Sequence, residues 1–168
     1  MMSQPMPEPF TDETFKTAMA NFASGVTVVT TVDRSGRPFG LTATAFCSVS
    51  KSPPLCLVSV ATSSDAYPAL KESLRFAANV LSREQTDVSA QFATHGIDKF
   101  AGVEWSAGAA TGCALLPAAL VSLECVAETV VAAGDHEIFV GRIVAIVAGS
   151  GRDPLVYFRA RYCDVVPR

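Results

Sequence analysis

The spacing of apolar residues along this chain changes several times, and each change marks an element. From Thr11 onward they recur at Phe15, Ala18, Met19 and Phe22, the interval of a helix face. Thr11 is the predicted N-cap, Asp12 and Glu13 suit the positive end of the helix dipole, and Gly25 is the expected stop. The pattern then becomes β-branched. VTVVTTV (26–32) predicts a strand, and Asp33-Arg34-Ser35-Gly36 turns the chain into a second one, FGLTATAFCSVS (39–50). Lys51-Ser52-Pro53-Pro54 ends it, and LCLVSVA (55–61) is the third. Ser63 or Ser64 is expected to cap a short helix over 65–72, with Pro68 near its start. RFAANVL (75–81) is a fourth strand, and Ser82 to Gln85 form a capping box for a helix reaching about His95.

A loop rich in glycine and alanine, roughly Ile97 to Leu116, follows, and its length favours a function over mere connection. Three strands complete the chain, 119–131, 136–148 and 155–163, the first two joined at Ala133-Gly134-Asp135. In the first, Val121, Leu123, Cys125, Ala127 and Val131 alternate with Ser122, Glu124 and Glu128, which predicts one buried and one wetted face. About seven strands with three peripheral helices define the expected fold class: mainly β, an antiparallel barrel and not a doubly wound sheet. Residues 1–10, with three prolines, read as a loose arm ahead of a single domain over 11–168.

Composition adds an expectation about assembly. Charged residues are 17% of the chain, below the ~25% of an average soluble domain. So little charge predicts that part of the surface is covered by a second copy, as in a homodimer. The net charge of −3 and the scattered Lys and Arg argue against nucleic acid as the ligand. No apolar run reaches the ~18 residues of a membrane span, and the N-terminus lacks the regions of a signal peptide. Five widely spaced cysteines without a C-x-x-C pair suggest neither a metal ribbon nor a redox dithiol. These features predict a reduced, cytoplasmic protein without membrane or metal.

The usual catalytic constellations are missing. There is no G-x-S-x-G elbow, no Walker loop and no G-x-G-x-x-G, and only two histidines, His95 and His136. An enzyme with this inventory borrows its reactive group from a cofactor. The stretch Gly40-Leu41-Thr42-Ala43-Thr44-Ala45 carries only one large side chain, which leaves room for a flat heterocycle. Thr42 and Thr44 are expected on one face, Ser59 could add a hydroxyl, and Ser63-Ser64 at a helix start could offer N–H groups to a phosphate. Together these would lay out a site for flavin mononucleotide. An ordinary half-exposed strand and an ordinary helix cap account for the same residues.

Longer segments extend this reading. FxxAMANFASGVTVVTT, GLTATAFCSVSxxPPL, RFAANVLSREQ (75–85), DKFAGVEW (98–105), AGDHEIFVG (133–141) and PLVYFRARY (154–162) occur in the order seen in the flavin reductase-like family, which the chain resembles after residue 10. The resemblance implies a Greek-key split β-barrel of the FMN-binding type, usually a homodimer. It implies NADH- or NADPH-dependent reduction of FMN or FAD and delivery of reduced flavin to a partner monooxygenase. By the same resemblance the flavin would lie against Pro38, Phe39, Gly40, Leu41, Thr42, Ala43, Thr44 and Ala45. Ser59, Val60, Ala61, Ser63, Ser64, Asp65 and Ala66 would hold its ribityl and phosphate parts, and Gln91 and Phe92 would also touch it.

His136 in the G-D-H turn is the implied assisting group beside the nicotinamide, and Tyr157, Phe158, Arg159 and Ala160 the implied nicotinamide dinucleotide segment. The family's usual Arg-Gly is Arg159-Ala160 here, a methyl in place of a hydrogen at that point. Trp105 has two readings, a packing residue or part of a lid. Hydride transfer needs the two rings aligned at about 3–3.5 Å and no protein acid or base, in keeping with the missing catalytic dyad. Two alternatives share the barrel: a flavin-bound oxidase, and a non-enzymatic flavin-binding dimeric module.

Overall fold

The computed structural model describes residues 10–166, so most of the expected arm at 1–10 lies outside the described residues. Helix α1 (Asp12–Met19) is capped as expected, with Thr14 N donating to Thr11 Oγ1 at 3.2 Å. It ends at Met19, short of Gly25, because Ser24–Gly25 is drawn into a small strand, β1, that pairs with residues 156–157. Phe22 therefore lies beyond the helix. Helix α1 buries none of its residues, and Phe15, Met19 and Phe22 are exposed.

Strand β2 (Thr27–Val32) is buried along its whole length. Its turn forms as expected: Asp33 Oδ1 accepts from Ser35 N at 2.8 Å and Arg37 N at 3.0 Å. The strand expected at 39–50 is two strands, β3 (Pro38–Ala43) and β4 (Phe46–Lys51), interrupted by a bend at Thr44-Ala45. Strand β5 (Pro54–Ala61) follows. Helix α2 spans Tyr67–Ser73, with Ala66 at the N-cap position and no side-chain cap. Neither Ser63 nor Ser64 caps a helix from Asp65. Such a helix would put Pro68 where an interior N–H is needed, whereas here it falls in the first turn.

Strand β6 (Arg75–Val80) leads into the predicted capping box, in which Ser82 N donates to Gln85 Oε1 at 3.0 Å. A 3-10 turn (Arg83–Gln85) passes into α3 (Thr86–Ala93). The long loop contains a small pair, β7 (Ser106–Ala107) and β8 (Ala114–Leu115). Strands β9 (Val121–Ala133) and β10 (His136–Ala148) form a long hairpin. The last predicted strand is instead a tight hairpin, β11 (Val156–Phe158) and β12 (Arg161–Cys163), turning through Arg159 and Ala160 at φ +50° and +59°.

Seven strands form one antiparallel sheet in the order β3-β2-β6-β9-β10-β5-β4. Its two edges, β3 and β4, are consecutive in sequence, so the bend at Thr44-Ala45 joins one edge to the other and the sheet curls into a barrel. The interior confirms the closure: Val29 of β2, Ala43 of β3, Cys56, Val58 and Val60 of β5, Phe76 of β6, Cys125 of β9 and Phe139 of β10 share one core. Burying each such phenylalanine contributes about 1.5–3 kcal/mol. A side chain at Gly141 would put its Cβ 2.6 Å from the Phe76 ring, so only glycine leaves that ring its place.

Of the three residues expected on the wet face of β9, Glu128 is exposed but the other two are not. Ser122 and Glu124 are 3% and 1% exposed, because the 106–116 segment folds back over them. Glu124 Oε2 accepts from Ala110 N at 3.0 Å, Thr111 N at 2.7 Å and Thr111 Oγ1 at 2.8 Å. Ser122 Oγ hydrogen-bonds Asn79 Oδ1 at 2.6 Å. Conversely, Val131, expected inside, is exposed near the tip of the long hairpin.

Candidate functional site

Strand β3 has two different faces. Leu41 and Ala43 pack into the barrel interior. Gly40 and Thr42 face α3: a Cβ on Gly40 would meet Phe92 Cε1 at 2.5 Å, and Thr42 Oγ1 donates to Ser89 O at 2.7 Å. The missing bulk at position 40 thus gives clearance to Phe92. Thr44 and Ala45 lie beyond the strand, exposed in the bend, so Thr42 and Thr44 do not share a strand face.

The bend is fastened to β5, where Ser59 N donates to Ala45 O at 3.0 Å. Ser59 is half-buried, while Val60 points into the core. Ala61 pairs directly with His136 across the sheet. One residue on, Thr62 N and Oγ1 both donate to Asp135 O, at 3.0 and 3.1 Å. The structure therefore brings the segment after β5 and the Gly134-Asp135-His136 turn together. His136 Nδ1 and Asp135 Oδ1 are 2.7 Å apart, and this hydrogen bond holds the Asp135 carboxyl below its ordinary range. The imidazole remains 42% exposed.

Beyond α3 the chain is fixed by side chains. Gln91 Nε2 donates to Lys99 O at 3.0 Å and Ala101 O at 2.9 Å. The Phe92 ring meets Phe100 edge-on at 5.0 Å, and Phe100 meets Trp105 at 5.7 Å, which makes Trp105 the outer member of a packed aromatic row. Asp65 Oδ2 accepts from Gly96 N at 3.1 Å, which is the main reason its carboxyl is held below the ordinary range. Between these segments lies a cavity of about 650 Å³ lined by residues 37–40, 65–66 and 96–100.

Lys99 is 7% exposed and lines this cavity, its Nζ 3.8 Å from Asp65 Oδ2. Burial pulls its ammonium below the ordinary lysine value, partly offset by Asp65. Arg37, on the same cavity, lies over the Phe39 ring at 5.2 Å. No basic residue lies near Ser63-Ser64 in sequence, but the tertiary fold brings Lys99 and Arg37 to the cavity that Asp65 and Ala66 also line. The only sequence signal was the DKFAGVEW segment that carries Lys99.

Tyr157 to Ala160 lie elsewhere. Arg159 N donates to Ala20 O at 2.8 Å and its Nε to Asn21 Oδ1 at 2.9 Å, fastening the hairpin to the end of α1. Tyr157 packs edge-on against Tyr162 at 5.5 Å, and Tyr162 OH bonds Ser89 Oγ at 2.9 Å. Ser89 thus serves both this hairpin and Thr42. Among the described residues, no hydrogen bond joins the hairpin to His136.

The barrel, the small-residue bend and the cavity next to it belong to a known class. The chain matches the flavin reductase like domain over residues 19–166 and belongs to that family. It is 40% identical over 156 residues to the NADH:riboflavin 5'-phosphate oxidoreductase of Streptomyces pristinaespiralis, covering 92% of this chain and 89% of that protein. It is 43% identical over 155 residues to a probable flavin reductase of Rhizobium meliloti strain 1021. That match covers 92% of this chain but spans about half of the Rhizobium protein, 49%. A reductase subunit of a flavin-dependent monooxygenase from Rhodococcus jostii strain RHA1 is 33% identical over 91% of this chain and 77% of its own length. In structure, the NADH:FAD oxidoreductase of Streptomyces globisporus C-1027 superposes with a TM-score of 0.88 at 31% identity, over 99% of this chain and 100% of that one. The same oxidoreductase has been solved with NAD and FAD fragments.

Proposed function

We propose that this chain is an NAD(P)H-dependent flavin reductase, passing a hydride from the reduced nicotinamide to FMN or FAD. The single observation that carries the reading is the junction of three segments at one place: the exposed Thr44-Ala45 bend, the Ser59–Ala66 segment and the Gly134–His136 turn. The cavity beside them falls within the about 300–1,000 Å³ of small-molecule sites, and its walls combine backbone, two aromatic rings and two cations. These residues fit a flavin nucleotide. Bound flavin would supply the redox chemistry.

The chain's own part is to bind and align. The bend, with its small side chains, would back the ring, and its position is fixed by the Ser59–Ala45 backbone bond. Residues 63–66 would take the ribityl chain, with Ala66 buried and Asp65 tied to Gly96. Gln91 and Phe92 would act indirectly, Gln91 by holding the 99–101 backbone and Phe92 by packing on Gly40. His136, half-exposed and oriented by Asp135, would meet the nicotinamide at the open edge. Tyr157–Ala160 would serve the dinucleotide from the far side of α3.

Assembly and setting follow the same reading. The exposed Phe15, Met19 and Phe22, with Val144, Ile146 and Val147 of β10, supply apolar surface for a homodimer. A monooxygenase component would consume the reduced flavin, in the cytoplasm. No described helix is long and apolar enough to cross a membrane. The test is to mix purified protein with FMN or FAD and NADH or NADPH and follow nicotinamide absorbance. Flavin-dependent oxidation is expected, and its absence with every pair overturns the reading.

A further inference from the structure

Resting on the flavin reductase reading above, we infer that Tyr162 is a positioning residue for the nicotinamide dinucleotide. Acting through Ser89 of α3, its hydroxyl docks the β11–β12 hairpin against the strand that runs into the flavin-backing bend.

The hairpin needs such a seat. It lies outside the barrel sheet, in a three-stranded sheet of order β1-β11-β12, where β12 pairs with β11 alone. Its root is fixed by backbone: Val26 N donates to Leu155 O and Leu155 N to Leu81 O, both at 3.0 Å. Its tip is tied through Arg159 to Ala20 and Asn21, at the end of a helix that buries none of its residues. The ion pair of Arg83 with Asp164 is long, 3.8 Å, and open to water on both sides, where such pairs hold little. Between root and tip, Tyr162 OH donates to Ser89 Oγ at 2.9 Å, and Ser89 is fully buried. A buried hydroxyl without a partner is costly, so this meeting is part of how the hairpin and α3 specify each other.

Ser89 works in two directions. Its carbonyl accepts from Thr42 Oγ1 at 2.7 Å, and one turn on, Phe92 fills the space left at Gly40. Helix α3 is thereby registered on β3, and the hairpin is registered on α3 by the same residue. Two short hydrogen bonds thus connect the hairpin to the strand that leads into the Thr44-Ala45 bend.

The Tyr162 ring has a second task. Tyr157 and Tyr162 are paired across the hairpin, so their side chains share a face, and their rings meet edge-on at 5.5 Å. Tyr157 belongs to the segment proposed to serve the dinucleotide. Tyr162 supports that segment with its ring and anchors it with its hydroxyl. Hydride transfer allows little freedom between the two ligands, because their rings must align at about 3–3.5 Å. A chain whose hairpin is loosened from α3 would bind flavin as before and hold the dinucleotide less well.

The experiment measures two equilibria in the full chain. Binding of FMN or FAD alone is followed by flavin fluorescence, and binding of NAD+ or NADP+ to the flavin-loaded protein by calorimetry. Wild type is compared with Tyr162→Phe, which keeps the ring, with Ser89→Ala and with the double variant, circular dichroism checking the fold. Each single variant should weaken dinucleotide binding about fivefold, as loss of a neutral hydrogen bond does, with the flavin dissociation constant unchanged. The double variant should be no weaker than either single one, because both remove the same bond. Unchanged dinucleotide affinity in Tyr162→Phe, even with a lowered Tm, makes the contact purely architectural and overturns the assignment. An equal loss of flavin affinity overturns it too, as does a double variant whose losses multiply, or a flavin-loaded wild type that binds neither dinucleotide. If Ser89→Ala does not fold, Tyr162→Phe decides alone. If the wild type binds neither FMN nor FAD, the flavin reductase reading itself fails.

Discussion

Two carboxylates, Glu124 and Asp65, each fasten a loop to the barrel, and they do it in opposite ways. Glu124 is 1% exposed and accepts three short hydrogen bonds from Ala110 and Thr111. Nothing around it is left over. Asp65 accepts one bond from Gly96, stands 3.6 Å from His95 and 3.8 Å from Lys99, and borders a cavity. Polar groups whose partners are complete belong to the architecture, while polar groups with spare capacity beside open space stay available to bond something else. The reading from sequence placed Glu124 in solvent and Asp65 on the ligand, and only the first is corrected by the structure.

That contrast can be broken at several points. The largest effect should come from Glu124→Ala, which strands the buried donors of the 110–111 segment. About 3–5 kcal/mol of stability is expected to go, as when one partner of a buried charged network is removed, read from urea unfolding. Gly40→Ala comes next. Its Cβ would sit 2.5 Å from Phe92, and overpacking of this kind costs ~1–3 kcal/mol; a midpoint unchanged from wild type would show that the ring yields freely. Thr42→Val keeps the shape of β3 but removes the bond to Ser89 O, an expected loss of about 1 kcal/mol.

Ala160→Gly should act in the other direction. Ala160 sits at φ +59°, and relieving a left-handed residue is expected to stabilise by up to about 1 kcal/mol, seen as a raised Tm. The smallest effect belongs to Asp65. Its carboxyl is held below 3.8, chiefly by the Gly96 N–H. Its contribution is therefore present above that value and lost as pH falls through the lowered folded value. Asp65→Asn should flatten the acid limb of the stability profile only slightly, whereas the wild type and Glu124→Ala should differ at neutral pH.

What the residues disclosed by themselves depended on how local the cause was. The Ser82–Gln85 capping box, the Asp33 turn and the β-branched run at 27–32 are settled by neighbours in sequence, and they appear where expected. The bend at Thr44 was illegible because it arises from closure, which requires strands from opposite edges of the sheet. Glu124 misled because period-two alternation describes a strand's faces but not a loop that later covers one of them. The cation pair of Arg37 and Lys99 needed the register of α3 over β3, set by Phe92 entering the space left at Gly40. The family resemblance implied fold and activity together and included Lys99 in its DKFAGVEW segment, but it gave neither cation a role.

The bend also decides how the barrel would fail. Edges β3 and β4 are kept together by two residues of continuous chain, so the seam is a covalent link and not a row of paired strands. Cleaving the peptide bond between Thr44 and Ala45 would turn that link into two chain ends, each at the end of a strand with one side free. Such ends can recruit strands from other molecules. A protein nicked there would keep nearly all of its internal pairing yet gain two adhesive margins, so the same short, unbulky stretch proposed to back the flavin ring is where solubility is most easily lost.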